Sequence, residues 1–173
     1  SSTGDHPKSP NEILSDINNE LVTVLKQHEK DAIQDGMDLG ICLIDKKTRK
    51  ITFSGSRNGV YVVNKKGDLM EIKGDYTPVG GFYSKKEKIN NRKYETHEIK
   101  LKKDEWVFMY SDGYYDQFGG DRNKSMGSTR FRDILVSAVK NEKLQTSDFK
   151  NYFFNWMGEN EQLDDVLLMG FTL

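Results

Sequence analysis

Cysteine is almost missing from this sequence. The one copy, Cys42, stands in the apolar run Ile41, Cys42, Leu43, Ile44, so a disulfide framework and a Cys-rich zinc site are both excluded. It reads as a small buried hydrophobe, with a reactive thiol as the less favoured alternative. Histidine is scarce as well. His6, His28 and His97 lie far apart and none belongs to a His-Glu-x-x-His pair, which removes a motif-type zinc protease. Any metal chemistry would have to rest on carboxylates. No apolar stretch approaches the roughly 20 residues of a membrane span, and the N-terminus has no apolar signal region. The expectation is a cytoplasmic piece that makes no membrane contact. Nor is there an excess of one charge: 26 Lys and Arg stand against 27 Asp and Glu, a net charge of −1. Gripping a nucleic-acid backbone takes clustered basic residues, so nucleic acid is not an expected partner.

What the chain does have is length and aromatic bulk. Its 173 residues, with nine Phe, eight Tyr and two Trp, suffice for one domain with a buried core, where domains run to about 100–200 residues. A mean hydropathy of −0.74 calls for a heavily charged surface. Residues 1–9 are polar and carry a proline, which reads as a disordered lead. The period then becomes helical. Ile13, Leu14, Ile17, Leu21, Val24 and Leu25 recur at three- and four-residue spacing, behind Ser9, Pro10 and Glu12 in capping-box positions. This predicts an amphipathic helix over 10–27.

From Leu39 the pattern is β: 39–44, 51–54, 60–63, 69–72, 94–101 and 106–110 are short apolar or alternating segments bounded by turn residues. Asp45 to Arg49 and Asn64 to Asp68 read as hairpin turns, which suggests a meander of antiparallel strands. Helical spacing returns over 129–141 and 147–157, and Val166 to Leu173 reads as a fully apolar closing strand. The fold class expected is α+β, with antiparallel sheet beneath helices.

Two places could carry chemistry. The strand Trp106 to Tyr110 runs into Ser111, Asp112 and Gly113, which sets a carboxylate at the strand's exposed end where glycine lets backbone approach a ligand. Asp-Gly is equally a common tight turn. Asp164 and Asp165 stand side by side ahead of Val166, Leu167 and Leu168; adjacent carboxylates repel, a cost that a cation could remove. The plainer reading is a solvated loop end. If the two strands are neighbours, the acids converge on one patch without His or Cys, and oxygen-only ligands suit Mg²⁺ or Mn²⁺. Asp38, at the entrance to the first strand, is a weaker candidate beside a solvated-turn reading. The segments Gly55 to Gly59 and Pro78 to Phe82 read as a strand connection and a packing turn.

Taken in order, these motifs carry a resemblance: a helix beginning Pro-Asn-Glu-Ile-Leu, Asp-Gly-Met-Asp before a strand, Ser-Gly then Tyr-Val-Val, Pro-Val-Gly-Gly, Tyr-Ser-Asp-Gly-Tyr-Tyr-Asp-Gln-Phe-Gly-Gly and Asp-Asp-Val-Leu-Leu. From about Pro10 to Leu173 the chain resembles the SpoIIE-type (RsbU-like) branch of the bacterial PPM metal-dependent serine/threonine phosphatases. The resemblance implies an antiparallel β-sandwich flanked by helices in α/β/β/α order. It implies that Asp112 and Asp164 are metal ligands, with Asp165 beside the ligand position; Gly113 and Asp38 are the weaker, supporting candidates. It further implies a two-metal Mn²⁺ or Mg²⁺ site that activates a water for attack on phosphorus without a protein nucleophile.

The implied substrate is phosphoserine or phosphothreonine on a regulatory protein, an anti-anti-sigma factor with a STAS domain, in a partner-switching pathway. Homodimerisation stays open. The family's earlier Asp-x-x-Gly-His-Gly-like motif, which supplies an aspartate bridging both metals, has no counterpart here. Gly4, Asp5 and His6 stand too close to the next helix to provide it. The expectation is therefore a phosphatase domain over 10–173 without its N-terminal strand and helix. Its alternative is a catalytically inactive, phosphatase-like module that binds a regulatory partner.

Overall fold

The computed structural model describes residues 7–29, 32–81 and 92–173. Expectations placed on Gly4, Asp5, His6 and the start of the polar lead fall outside those residues. In chain order the elements are α1 (Pro10–Val24), β1 (Gly36–Met37), β2 (Leu39–Asp45), β3 (Lys50–Ser56), β4 (Val60–Asn64), β5 (Leu69–Ile72) and β6 (Val79–Gly80). There follow β7 (His97–Lys100), β8 (Glu105–Tyr110), α2 (Gly113–Asp116), β9 (Phe118–Gly119), β10 (Lys124–Ser125), α3 (Gly127–Lys140), α4 (Thr146–Met157) and β11 (Leu168–Phe171). They group into two compact units, one drawn from 1–59 and 73–101 and the other from 60–72 and 102–173.

The first unit packs α1 on an antiparallel sheet of order β2-β3-β7. Ser9 caps α1, Pro10 occupies its first turn, and the Glu12 carboxylate accepts a hydrogen bond from the Ser9 backbone N–H at 2.8 Å. The buried stripe differs in part from the one that spacing suggests. Leu14 and Val22 are buried, but Val24 is 69% exposed and the polar Asn18 is fully buried. Asn18 belongs inside because its Oδ1 accepts from the Gly80 N–H at 3.0 Å, which satisfies a buried donor. The helix also stops earlier than expected, at Val24. Lys26 turns to a positive φ of 51°, and buried Gln27 accepts from the Gly81 N–H at 3.0 Å while donating to the Asp35 carbonyl at 2.6 Å.

Pro78 to Gly81 is thus a packing turn. Arg92 closes it by donating to the carbonyls of Pro78, Gly80 and Gly81 at 2.7–2.9 Å. The strand expected over 94–101 shortens to His97–Lys100. Its first residues leave the ladder because Tyr94 donates its hydroxyl to the Pro78 carbonyl at 3.1 Å and the Glu95 N–H binds the Asp75 carboxylate at 2.8 Å. Cys42, on β2, is half-buried, and burial raises its thiol pKa to about 11.

The second unit holds a four-stranded sheet of order β11-β8-β4-β5 with every neighbour antiparallel. The meander therefore breaks after β3: β4 takes β5 and β8 as its partners, and the two anticipated hairpins, β2-β3 and β4-β5, are kept. Tyr61, Val63, Phe108 and Tyr110 from this sheet pack with Phe131, Leu135 and Val139 of α3 and Phe153 of α4 in one buried cluster. Fully burying an aliphatic or aromatic side chain contributes about 1.5–3 kcal/mol, so this cluster holds the sheet ends in place. The closing strand is not buried throughout. β11 pairs only with β8 among the described residues, and Met169 is 51% exposed.

Candidate active site

The register of β8 against β11 sets the site. Leu168 lies opposite Tyr110 and Phe171 opposite Val107. In an antiparallel pair, the chain leaving β8 and the chain entering β11 stand at the same end. Asp112 follows Tyr110 by two residues and Asp164 precedes Leu168 by four, so the two acids singled out by the sequence meet at one sheet end.

Contacts fix this juxtaposition. Ser111 extends the ladder by one backbone bond, its N–H donating to the Leu167 carbonyl at 3.0 Å. Its hydroxyl donates to the Asp165 carbonyl at 2.8 Å and accepts from the Leu167 N–H at 2.8 Å. Gly113 is buried, and a Cβ there would stand 2.4 Å from the Asp165 carbonyl oxygen and 3.2 Å from Asp164 Cβ. Glycine is required by this close approach and not by its dihedral angles. The backbone carbonyl of Asp112 accepts from the Tyr115 and Asp116 N–H groups at 3.0 and 2.9 Å, which opens the short helix α2. On the other arm one Asp164 carboxylate oxygen accepts from the Asp165 N–H at 2.6 Å, orienting the carboxyl group.

A third acid joins them that the reading of Asp-Gly alone does not pick out. Asp116 has its pKa raised, first by burial and then by the negative charges of Asp112 and Asp164. The three carboxylates therefore lie within electrostatic reach, and no salt bridge among the described residues ends on any of them. The signal was present: Asp112 and Asp116 stand four apart, which puts them on one face of a helical turn. Gln117, unmarked by residue type or spacing, is fully buried and ties this turn to the loop before Asp164.

Two further candidates remain, one at this sheet end and one in the first unit. Asp165 is exposed and contributes its backbone N–H and carbonyl to the contacts above. Asp38 belongs to the first unit, where it faces Arg57 at 3.9 Å. A cavity of about 340 Å³ in the second unit is lined by Tyr114, Phe149, Phe153, Val166 and Leu168 among others, and none of the acids lines it. Among the described residues no group of three His, Cys, Asp or Glu side chains stands close enough to hold a metal ion. The donor set at the β8/β11 end is nonetheless all oxygen, and no salt bridge among the described residues offsets its charge. That chemistry fits Mg²⁺ or Mn²⁺ and not Zn²⁺.

Comparison with known proteins decides the family. Residues 2–173 match the SpoIIE family, Stage II sporulation protein E. The chain belongs to that family. Among solved structures it is similar to the SiaA-PP2C domain of Pseudomonas aeruginosa, at 23% identity and a TM-score of 0.80 over 95% of this chain and 61% of that one. It is similar to the RsbU and RsbW domains of a Mycobacterium tuberculosis protein at 15% identity and a TM-score of 0.62, over 95% of this chain and 42% of that one.

The phosphatase domain of SpoIIE from Bacillus subtilis gives 13% identity and a TM-score of 0.56, with 100% and 75% of the two chains covered. None of the curated proteins matches. The SpoIIE-family chain thus has the PP2C-like fold, and it spans about three fifths of the length of the SiaA domain. Among its described residues no helix is long and apolar enough to cross a membrane.

Proposed function

We propose that this SpoIIE-family chain forms the catalytic part of a metal-dependent phosphatase acting on phosphoserine or phosphothreonine of a regulatory protein. The observation that carries the reading is the meeting of Asp112 and Asp164 at the shared end of β8 and β11, with Asp116 in their field. Asp112 and Asp164 would hold the cation, with Asp116 adding negative potential. A divalent ion bound there supplies Lewis-acid chemistry, activating water and offsetting charge on phosphate oxygens.

The protein's own part is positional. Gly113 lets the two acid-bearing segments touch, Ser111 latches the backbone on either side of Val166, and the Asp165 N–H orients the Asp164 carboxyl group. No His, Cys or Ser nucleophile is required by this arrangement. A STAS-domain anti-anti-sigma factor in the cytoplasm is the proposed substrate. Support for it comes from family membership and from the likeness to a chain that carries RsbU and RsbW domains.

In the whole protein, Asp112→Asn is expected to lower Mn²⁺-dependent release of phosphate from a phosphoserine peptide by about a hundredfold or more, since loss of a supporting contact alone costs metal sites about 10–100-fold. Turnover equal to that of the parent would contradict the reading. One observation favours a second reading, a phosphatase-like module that binds a regulatory partner without turnover: the described residues alone do not assemble three metal-holding side chains. That reading gives no metal-dependent phosphate release from either protein.

A further inference from the structure

Two polar side chains bracket the turn that carries Asp112 and Asp116, and both grip the opposite arm. Ser111, directly before Asp112, binds the backbone of 165 and 167 through its hydroxyl, as described. Gln117, directly after Asp116, is fully buried, and its side chain binds the backbone of 161 and 163. Its Nε2 donates to the Glu161 carbonyl at 2.8 Å and to the Phe118 carbonyl at 3.1 Å; its Oε1 accepts from the Leu163 N–H at 3.2 Å. The two grips fall at alternate residues on each side of Asp164. Gln117 is itself anchored, its carbonyl accepting from the Trp156 indole N–H at 2.9 Å and the Met126 N–H at 3.0 Å.

We infer that Gln117, with Ser111, is a positioning residue that fixes the distance and direction of Asp164 relative to Asp112. The warrant is geometric. Residues 158–166 have no ladder of their own, and exposed Asp164 lies between the two grips. A segment lacking its own ladder is free to move unless side chains hold its backbone. A buried carboxamide can satisfy donors and acceptors at once, and no apolar side chain of similar size can do so. The inference rests on the phosphatase reading insofar as it concerns a metal.

The test uses the chain with Gln117→Met, which keeps bulk and removes the three hydrogen bonds, and separately with Ser111→Ala. Amide hydrogen exchange is read at Leu163 and Leu167 in metal-free protein, and Mn²⁺ affinity is read by electron paramagnetic resonance of the free ion. The expected result is exchange at least tenfold faster at Leu163 in Gln117→Met and at Leu167 in Ser111→Ala, with Mn²⁺ affinity falling about tenfold or more in each.

Unchanged Mn²⁺ affinity in both variants, with the parent chain binding normally, overturns the inference and leaves the phosphatase reading standing. Unchanged exchange at Leu163 in Gln117→Met overturns it too. Should Gln117→Met fail to fold, Ser111→Ala decides by the same two readouts at its own amide. Absence of Mn²⁺ binding by the parent chain overturns the phosphatase reading and the inference together.

Discussion

At Gly113 a single methyl group separates a working arrangement from a broken one. Its missing Cβ is where the Asp165 carbonyl passes, at a distance of 2.4 Å that no real Cβ tolerates. Gly113→Ala must push the β8 and β11 arms apart by several tenths of an ångström, and a carboxylate pair displaced that far no longer shares an ion in good geometry. The expected outcome is loss of at least tenfold in Mn²⁺ affinity by isothermal calorimetry, with α3 and the sheet core retaining their native circular dichroism. Of the residues at this end, Asp112, Gly113, Asp164 and Asp165 were readable from strand ends and repelling neighbours. Asp116 and Gln117 were not picked out. Asp116 needs the α2 turn to face the other acids, and Gln117 announces itself only through burial and three hydrogen bonds to distant backbone. Asp38, the weaker candidate, faces Arg57 at 3.9 Å in the first unit.

Among the elements, those with strong periodicity were legible and those held by side-chain contacts were not. The cap of α1 is legible because it is local: Ser9, Pro10 and Glu12 determine it within four residues. The exposed Glu12 carboxylate has its pKa lowered, chiefly by its hydrogen bonds from Ser9. A depressed carboxylate stabilises the folded state at pH values above its ordinary value of about 4.3, and that contribution fades as pH falls through the lower folded value. Ser9→Ala is therefore expected to lower stability at neutral pH in denaturant titration and to reduce the stability lost between neutrality and about pH 3.

The β9-β10 hairpin escaped the sequence reading because its strands have two residues each and depend on α4. Gly119 and Gly120 pack against Trp156, whose carbonyl takes the Gly120 N–H at 2.9 Å, while Arg130 lies 4.2 Å over its ring. The meander failed for a related reason. Alternating patterns mark strands, but which strands become neighbours depends on packing far along the chain, here the placement of β8 between β4 and β11.

For the molecule as a whole, an order of motifs did what no single motif could. Asp-Gly is a common turn and Asp-Asp a common loop end, yet antiparallel pairing of β8 with β11 turns two weak signals into one acidic patch that no salt bridge among the described residues meets. Family membership over residues 2–173 and the PP2C-like fold are shown for the chain, and that patch is the chemical centre proposed for it. The central claim is that Asp112 and Asp164 together hold a divalent ion. Crystals of the protein soaked in Mn²⁺ and measured at the manganese absorption edge test it most directly. The account predicts an anomalous difference peak within about 2.5 Å of carboxylate oxygens from both Asp112 and Asp164; a peak bound elsewhere, with these two side chains bare, would contradict it.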